Sequence, residues 1–208
     1  MDKPYGLYLI LTNPVAGYEA CAWAAVNQGL RYLQLRMKNA PKEEILEKAL
    51  SLREITKGSK TLIIVNDHVD IAKEADADGV HLGQEDMSLE EARSMWTAPG
   101  KQFGLSTHGV EQELAARDLQ PDYIGVGPVF PTPTKDKPDP TVGLEAMGRI
   151  IKGSPLSCVA IGGINPENLP QVLEHGAGNF SVVRAVNQSH DPESAIANLM
   201  DIWRKHYP

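Results

Sequence analysis

The sequence predicts an α/β fold, a single-domain (β/α)8 TIM barrel over residues 1–208, and three observations carry that expectation. Short apolar runs alternate with longer amphipathic segments from end to end, in eight units of about 20–30 residues each. The first turn, Leu11-Thr12-Asn13-Pro14, has no G-x-G-x-x-G, the usual mark of a doubly wound open sheet. Almost every unusual polar residue falls just after an apolar run, where a barrel gathers its chemistry at one mouth.

In chain order, the expected strands are 7–11, 33–36, 62–65, 79–82, 102–105, 123–126, 157–161 and 180–183. The helical stretches between and after them are 16–28, 41–57, 69–74, 89–95, 110–117, 144–151, 166–175 and 191–206. In the second unit the run Leu33-Gln34-Leu35-Arg36-Met37-Lys38 alternates with period two. Leu33, Leu35 and Met37 then share one face, and Gln34, Arg36 and Lys38 the other. The sixth unit holds a long irregular stretch, 128–143, with five prolines. A loop of that size in a compact domain is usually functional, and here it would overhang the mouth. In the seventh, Gly162-Gly163-Ile164-Asn165-Pro166 reads as strand end, tight turn and helix start, with Asn165 as N-cap and Pro166 as first helical residue.

Composition narrows the function classes. At 208 residues and 42% hydrophobic content, the chain can bury a substantial core. A net charge of −7 disfavours nucleic acid as a partner, because phosphate backbones select a surplus of Lys and Arg. Cys21 and Cys158 lack the spacing of a zinc site or a disulfide framework. No apolar run suggests a signal peptide or a membrane span, so a soluble cytoplasmic protein is expected. The oligomeric state stays open.

The candidate site begins with Gln34, Arg36 and Lys38. Two cations on a face that should be buried are costly unless an anion meets them. Asp67 and Asp86 follow neighbouring strands, and two carboxylates without a cysteine partner suit a hard cation such as Mg²⁺, which takes its other ligands from water and substrate phosphates. They could equally be helix caps. Gly162 and Gly163 would expose backbone N–H groups to an anion, or serve steric needs alone. Thr132, Thr134 and Lys135 in the long loop read as a phosphate clamp, and Arg184 adds a cation at the end of the eighth strand. Ser106 and His108 close the fifth strand, with His108 ambiguous in role. His81, inside the fourth strand, reads as a core histidine, and Trp23, Trp96 and Trp203 as packing residues.

Several of these segments together resemble the thiamine-phosphate synthase (thiamine-phosphate pyrophosphorylase) family over nearly the whole chain. They are Gln34-Leu35-Arg36-Met37-Lys38, Asn66-Asp67, Gly79-Val80-His81-Leu82-Gly83-Gln84-Glu85-Asp86, Gly104-Leu105-Ser106-Thr107-His108, Gly127-Pro128-Val129-Phe130-Pro131-Thr132-Pro133-Thr134-Lys135 and Ile161-Gly162-Gly163-Ile164. The resemblance implies a barrel that joins a hydroxymethylpyrimidine diphosphate to a hydroxyethylthiazole phosphate, giving thiamine phosphate and diphosphate. It implies that residues Gln34, Leu35, Arg36, Met37 and Lys38, with Asn66, hold the pyrimidine diphosphate, and that Asp67 and Asp86 carry Mg²⁺. Ser106 and Lys135 would contact the diphosphate. Thr132, Thr134 and Gly163 would place the thiazole phosphate, with Val183 and Arg184 completing the substrate set. Arg36, Lys38, Ser106 and Lys135 would be the catalytic residues. Two positions depart from the pattern: Met37 stands where the family often has Glu, and Arg184 where many members have serine. Two alternatives stay open, a sister thiazole tautomerase using His108 as acid/base, and a non-catalytic paralogue that binds thiamine phosphates as a regulator.

Overall fold

The computed structural model describes residues 3–132 and 140–208. Within them the strands are buried on both faces almost throughout, as parallel strands covered by helices must be. The chain runs β1 (Gly6–Leu11), α1 (Tyr18–Asn27), β2 (Tyr32–Leu35), α2 (Lys42–Thr56), β3 (Leu62–Asn66), α3 (Val69–Glu74), β4 (Gly79–Leu82) and α4 (Leu89–Met95). It continues with β5 (Gln102–Thr107), α5 (Val110–Leu119), β6 (Tyr123–Val126), α6 (Gly143–Gly153), β7 (Cys158–Ala160), α7 (Leu169–Glu174), β8 (Asn179–Val182), α8 (Arg184–Asn187) and α9 (Pro192–Arg204). The strands pair in parallel in sequence order and β8 closes on β1, a complete (β/α)8 barrel. Among the described residues no helix is long and apolar enough to cross a membrane.

Period-two alternation divides the apolar residues into two cores. On β1, Leu7, Leu9 and Leu11 face the helices, while Tyr8 and Ile10 face the barrel axis. The inner cluster is Tyr8, Ile10, Tyr32, Ile64, Tyr123 and Val159. Its tyrosine rings pack with centroids 5.2 to 5.5 Å apart. Gly104 pairs with Tyr123 across β5 and β6, and a Cβ there would fall 2.2 Å from the Tyr123 ring. The missing side chain of Gly104 is what admits that ring to the axis.

The structure corrects the expected boundaries at three places that bear on function, and the burial of one tryptophan. β2 stops at Leu35, and Lys38 lies in a turn. α7 starts at Leu169, not Pro166; Asn165 instead accepts the backbone N–H groups of Glu167 and Asn168 and caps the turn that leads into it. Arg184 does not end β8 but opens the short helix α8, whose one turn is too brief for a periodic signal. Trp23 is 53% exposed on α1 rather than packed, whereas Trp96 is buried and the Trp203 indole donates to the Gly178 carbonyl.

Candidate active site

The expected single face of Gln34, Arg36 and Lys38 is divided, because the chain leaves extended geometry after Leu35. Gln34 points into the barrel, buried, with Nε2 donating to Tyr8 Oη at 2.9 Å. Arg36 is half-buried and lines a cavity at the mouth. Lys38 is about half exposed, its ammonium 3.6 Å from Asp67 Oδ2. The Leu35 side chain is buried in the outer core and Met37 packs against that core, so both offer the mouth only backbone. Asn66 is buried at the end of β3, in register with His81.

Asp67 and Asp86 come together beside Lys38. Asp67 follows β3 in a left-handed conformation (φ 64°), and its N–H donates to the His81 carbonyl at 2.9 Å. Asp86 accepts the Gly83 N–H at 2.7 Å. Neither caps the helix that follows it: α3 starts from His68, and α4 is capped by Ser88 in a reciprocal box with Glu91. Burial and the adjacent Asp86 carboxylate raise the Asp67 carboxyl to about 6, against the pull of Lys38 and Arg36. Partial burial pushes Asp86 upward too, but its hydrogen bonds to Asp67 and the Gly83 N–H outweigh that and hold it below the ordinary value. The pair thus holds a proton on Asp67 to higher pH than a free carboxyl would, because burial and an adjacent carboxylate both penalise its ionisation.

That shift has a testable sign. The folded chain binds the Asp67 proton more tightly than the unfolded one, so metal-free protein loses stability as pH climbs from about 4 through 6. Asp67→Asn is expected to stabilise metal-free protein at pH 7.5 by about 1–2 kcal/mol, the gain shrinking towards pH 4. Thermal melts in chelator across that range measure it.

The cavity has a volume of about 370 Å³ and opens over the ends of β5 to β8. Ser106, Thr132, Gly163, Val183 and Arg184 line it together with Arg36, as do His108 and the apolar Ile10 and Ile161. Ser106 Oγ sits 3.0 Å from His81 Nε2, and His108 Nδ1 donates to the Gly127 carbonyl at 2.7 Å. Gly162 and Gly163 take φ of 102° and 68°, and a Cβ on either would fall within 2.7 Å of Pro128 or Phe130. Steric need and mouth lining therefore coincide at these glycines. The segment after β6 lies against them, with Val129 and Phe130 N–H groups donating to the Ile161 and Gly162 carbonyls. This pairing seats Thr132 at the rim. Thr134 and Lys135 lie outside the described residues.

Arg36 joins the two halves: it lines the cavity and is close enough to Asp67 to lower its pKa. Among the described residues no group of three or more His, Cys, Asp or Glu could hold a metal ion. Two adjacent hard oxygen donors still suit a cation that completes its shell from water and substrate oxygens, which is how Mg²⁺ is commonly bound. Sequence reasoning missed the link between His81 and Ser106 and the buried hydroxyls of Tyr8 and Tyr123. The signal was the inward phase of β1, β4 and β6, with Gly104 placed opposite Tyr123.

Polar side chains from six strand ends gathered at the C-terminal mouth make this a (β/α)8-barrel enzyme by architecture. The family model described as thiamine monophosphate synthase matches residues 7–186, and the chain belongs to that family. A thiamine-phosphate synthase of Desulfitobacterium hafniense strain Y51 is 36% identical over 207 residues, 98% of this chain and 100% of its own. One from Synechocystis is 42% identical over 93% of this chain, which spans only 56% of that relative's length. The solved thiamine phosphate pyrophosphorylase of Pyrococcus furiosus superposes with a TM-score of 0.88 at 34% identity, covering 99% of this chain and 98% of that one. A 3-hexulose-6-phosphate synthase, at 18% identity and a TM-score of 0.68, shares the fold alone.

Proposed function

We propose that the chain condenses 4-amino-2-methyl-5-(diphosphooxymethyl)pyrimidine with 4-methyl-5-(2-phosphooxyethyl)thiazole, releasing diphosphate and forming thiamine phosphate. Membership of the family supports the reaction. The observation that carries the site assignment is Arg36, which lines the cavity at the mouth and is close enough to Asp67 of the carboxylate pair to act on its charge. The bond from the pyrimidine methylene to the diphosphate oxygen breaks and its electron pair leaves on diphosphate. The thiazole nitrogen lone pair then forms the new C–N bond. No enzyme nucleophile is required.

Each residue has a role in that displacement. Arg36, Lys38 and Lys135 neutralise the charge that grows on the departing diphosphate, Arg36 through its planar fork. Ser106 donates a hydrogen bond to the same group. Asp67 and Asp86 would hold Mg²⁺, which when bound supplies further positive charge to the leaving oxygens. Gln34 and Asn66, with the backbone at Leu35 and Met37, hold the pyrimidine side. Thr132, Thr134, Gly163, Val183 and Arg184 receive the thiazole phosphate near the short helix after β8, a frequent phosphate position in barrels. The apolar walls, Ile10 and Ile161, keep both rings in near-attack geometry.

Purified protein incubated with both substrates and Mg²⁺ should release thiamine phosphate and diphosphate in equal amounts. Binding without turnover would leave a regulatory protein. Turnover only of a carboxylated thiazole phosphate, with no diphosphate released, would make it the tautomerase.

A further inference from the structure

Beneath the mouth, five side chains from five strands form one continuous string of hydrogen bonds. Gln34 Nε2 donates to Tyr8 Oη at 2.9 Å, and the Tyr8 and Tyr123 hydroxyls lie 2.7 Å apart. Tyr123 Oη is 3.3 Å from His81 Nδ1, and His81 Nε2 is 3.0 Å from Ser106 Oγ. The first four residues are buried in the barrel; Ser106 lines the cavity. Aromatic packing alone does not account for the string. Phenylalanine would fill the same volume at positions 8 and 123, and Gly104 leaves out the Cβ that would otherwise meet both Tyr123 Oη and His81 Nδ1.

Donor counting gives the string a direction. An amide NH₂ can only donate, so Tyr8 accepts from Gln34 and directs its single proton to Tyr123. The Tyr123 proton then needs an acceptor of its own, and His81 Nδ1, 3.3 Å away, can supply it. A neutral imidazole that accepts at Nδ1 carries its proton on Nε2 and donates it to Ser106. Ser106 has then accepted within the barrel, and its own proton is left for the cavity. Burial pushes both phenols well above their ordinary pKa, so each keeps its proton at neutral pH.

The geometry points to a one-way relay in which Tyr8, Tyr123 and His81 are positioning residues that fix Ser106 as a hydrogen-bond donor to an anionic oxygen of the ligand. This rests on the function proposed above in taking that oxygen to be one of the diphosphate's. The relay adds why the serine hydroxyl is preset. A freely turning hydroxyl would present its lone pairs to the anion part of the time, whereas one that must donate outwards needs no reorganisation as charge develops.

The test uses the full chain labelled with ¹⁵N-histidine, the His81 resonances being those lost in His81→Asn. In unliganded wild type the His81 ring is expected as the neutral Nε2–H tautomer, and in Tyr123→Phe as a mixture. Tyr123→Phe is expected to lower kcat about tenfold with KM nearly unchanged. In a Ser106→Ala background the same change should cost less than about twofold, because the relay then has no end to orient. Tyr8→Phe should repeat the pattern, and melts identify any variant that has lost its fold. A purely structural role would shift the melts and leave tautomer and kinetic coupling alone. An Nδ1–H tautomer in wild type, an imidazolium, or an equal kcat loss in both backgrounds overturns the relay. Failure of wild type to form thiamine phosphate would overturn the proposed function instead, and the tautomer would still decide the relay.

Discussion

Arg36→Ala is expected to lower kcat/KM for thiamine phosphate formation by about 10³-fold, roughly 4 kcal/mol of transition-state stabilisation. The loss is large because the guanidinium follows β2 at a half-buried position, where its field is screened less than that of an exposed cation. It also lies beside Asp67, and so beside any cation that the carboxylates hold. Removing it takes charge from the departing diphosphate at the point where that charge is greatest. The effect on folding should be small, because β2 ends one residue earlier and Arg36 is absent from both apolar cores. Arg36→Lys should recover part of the activity by restoring the charge without the fork. Steady-state kinetics beside thermal melts measure both; wild-type turnover in Arg36→Ala would remove this residue from the mechanism.

Removing divalent metal is expected to abolish turnover, with Mg²⁺ restoring it. Asp86→Asn and Asp67→Asn should each raise the Mg²⁺ concentration for half-maximal rate by more than about tenfold, since each removes half of the chain's own charged donors. The Asp67 variant gives a sharper check because its two effects have opposite sign. Without metal, the substitution stabilises the fold at pH 7.5 by removing one of two adjacent, partly buried carboxylates whose joint ionisation is costly. With saturating Mg²⁺, wild type should gain stability through ligand linkage that the variant largely forgoes. Melting curves with and without Mg²⁺ at pH 7.5 should therefore cross over. Parallel shifts in both proteins would reassign Asp67 to a structural role.

The alternation of β and α units was plain in the sequence, because parallel strands under helices are apolar on both faces and their crossovers are amphipathic. β4, β6, α3 and α4 fall on their expected bounds for that reason. The one-turn α8 was not legible, since four residues give no period, and Arg184 was therefore placed at the end of the eighth strand instead of at a helix start. Period two correctly aimed Gln34 and Arg36 inwards but could not say that β2 ends between them, so Lys38 was carried one face too far. Asp67 could be placed from its position just after β3, whereas β5 runs on past the expected 105 to Thr107 and holds Ser106 inside the strand. The hydroxyls of Tyr8 and Tyr123 were not legible, because a tyrosine in an apolar run looks the same whether or not its oxygen has a task. Only closure of the barrel brings residues 115 positions apart to 2.7 Å.

The central claim is that Asp67, Asp86 and Arg36 converge on one anion through a divalent cation. A crystal grown with thiamine phosphate, diphosphate and Mn²⁺ in place of Mg²⁺ tests it directly through the metal's anomalous signal. The expected map has one Mn²⁺ peak shared by the Asp67 and Asp86 carboxylates, with diphosphate oxygens on the metal and on the Arg36 guanidinium. A metal peak away from both carboxylates, or diphosphate bound out of reach of Arg36, would contradict the account.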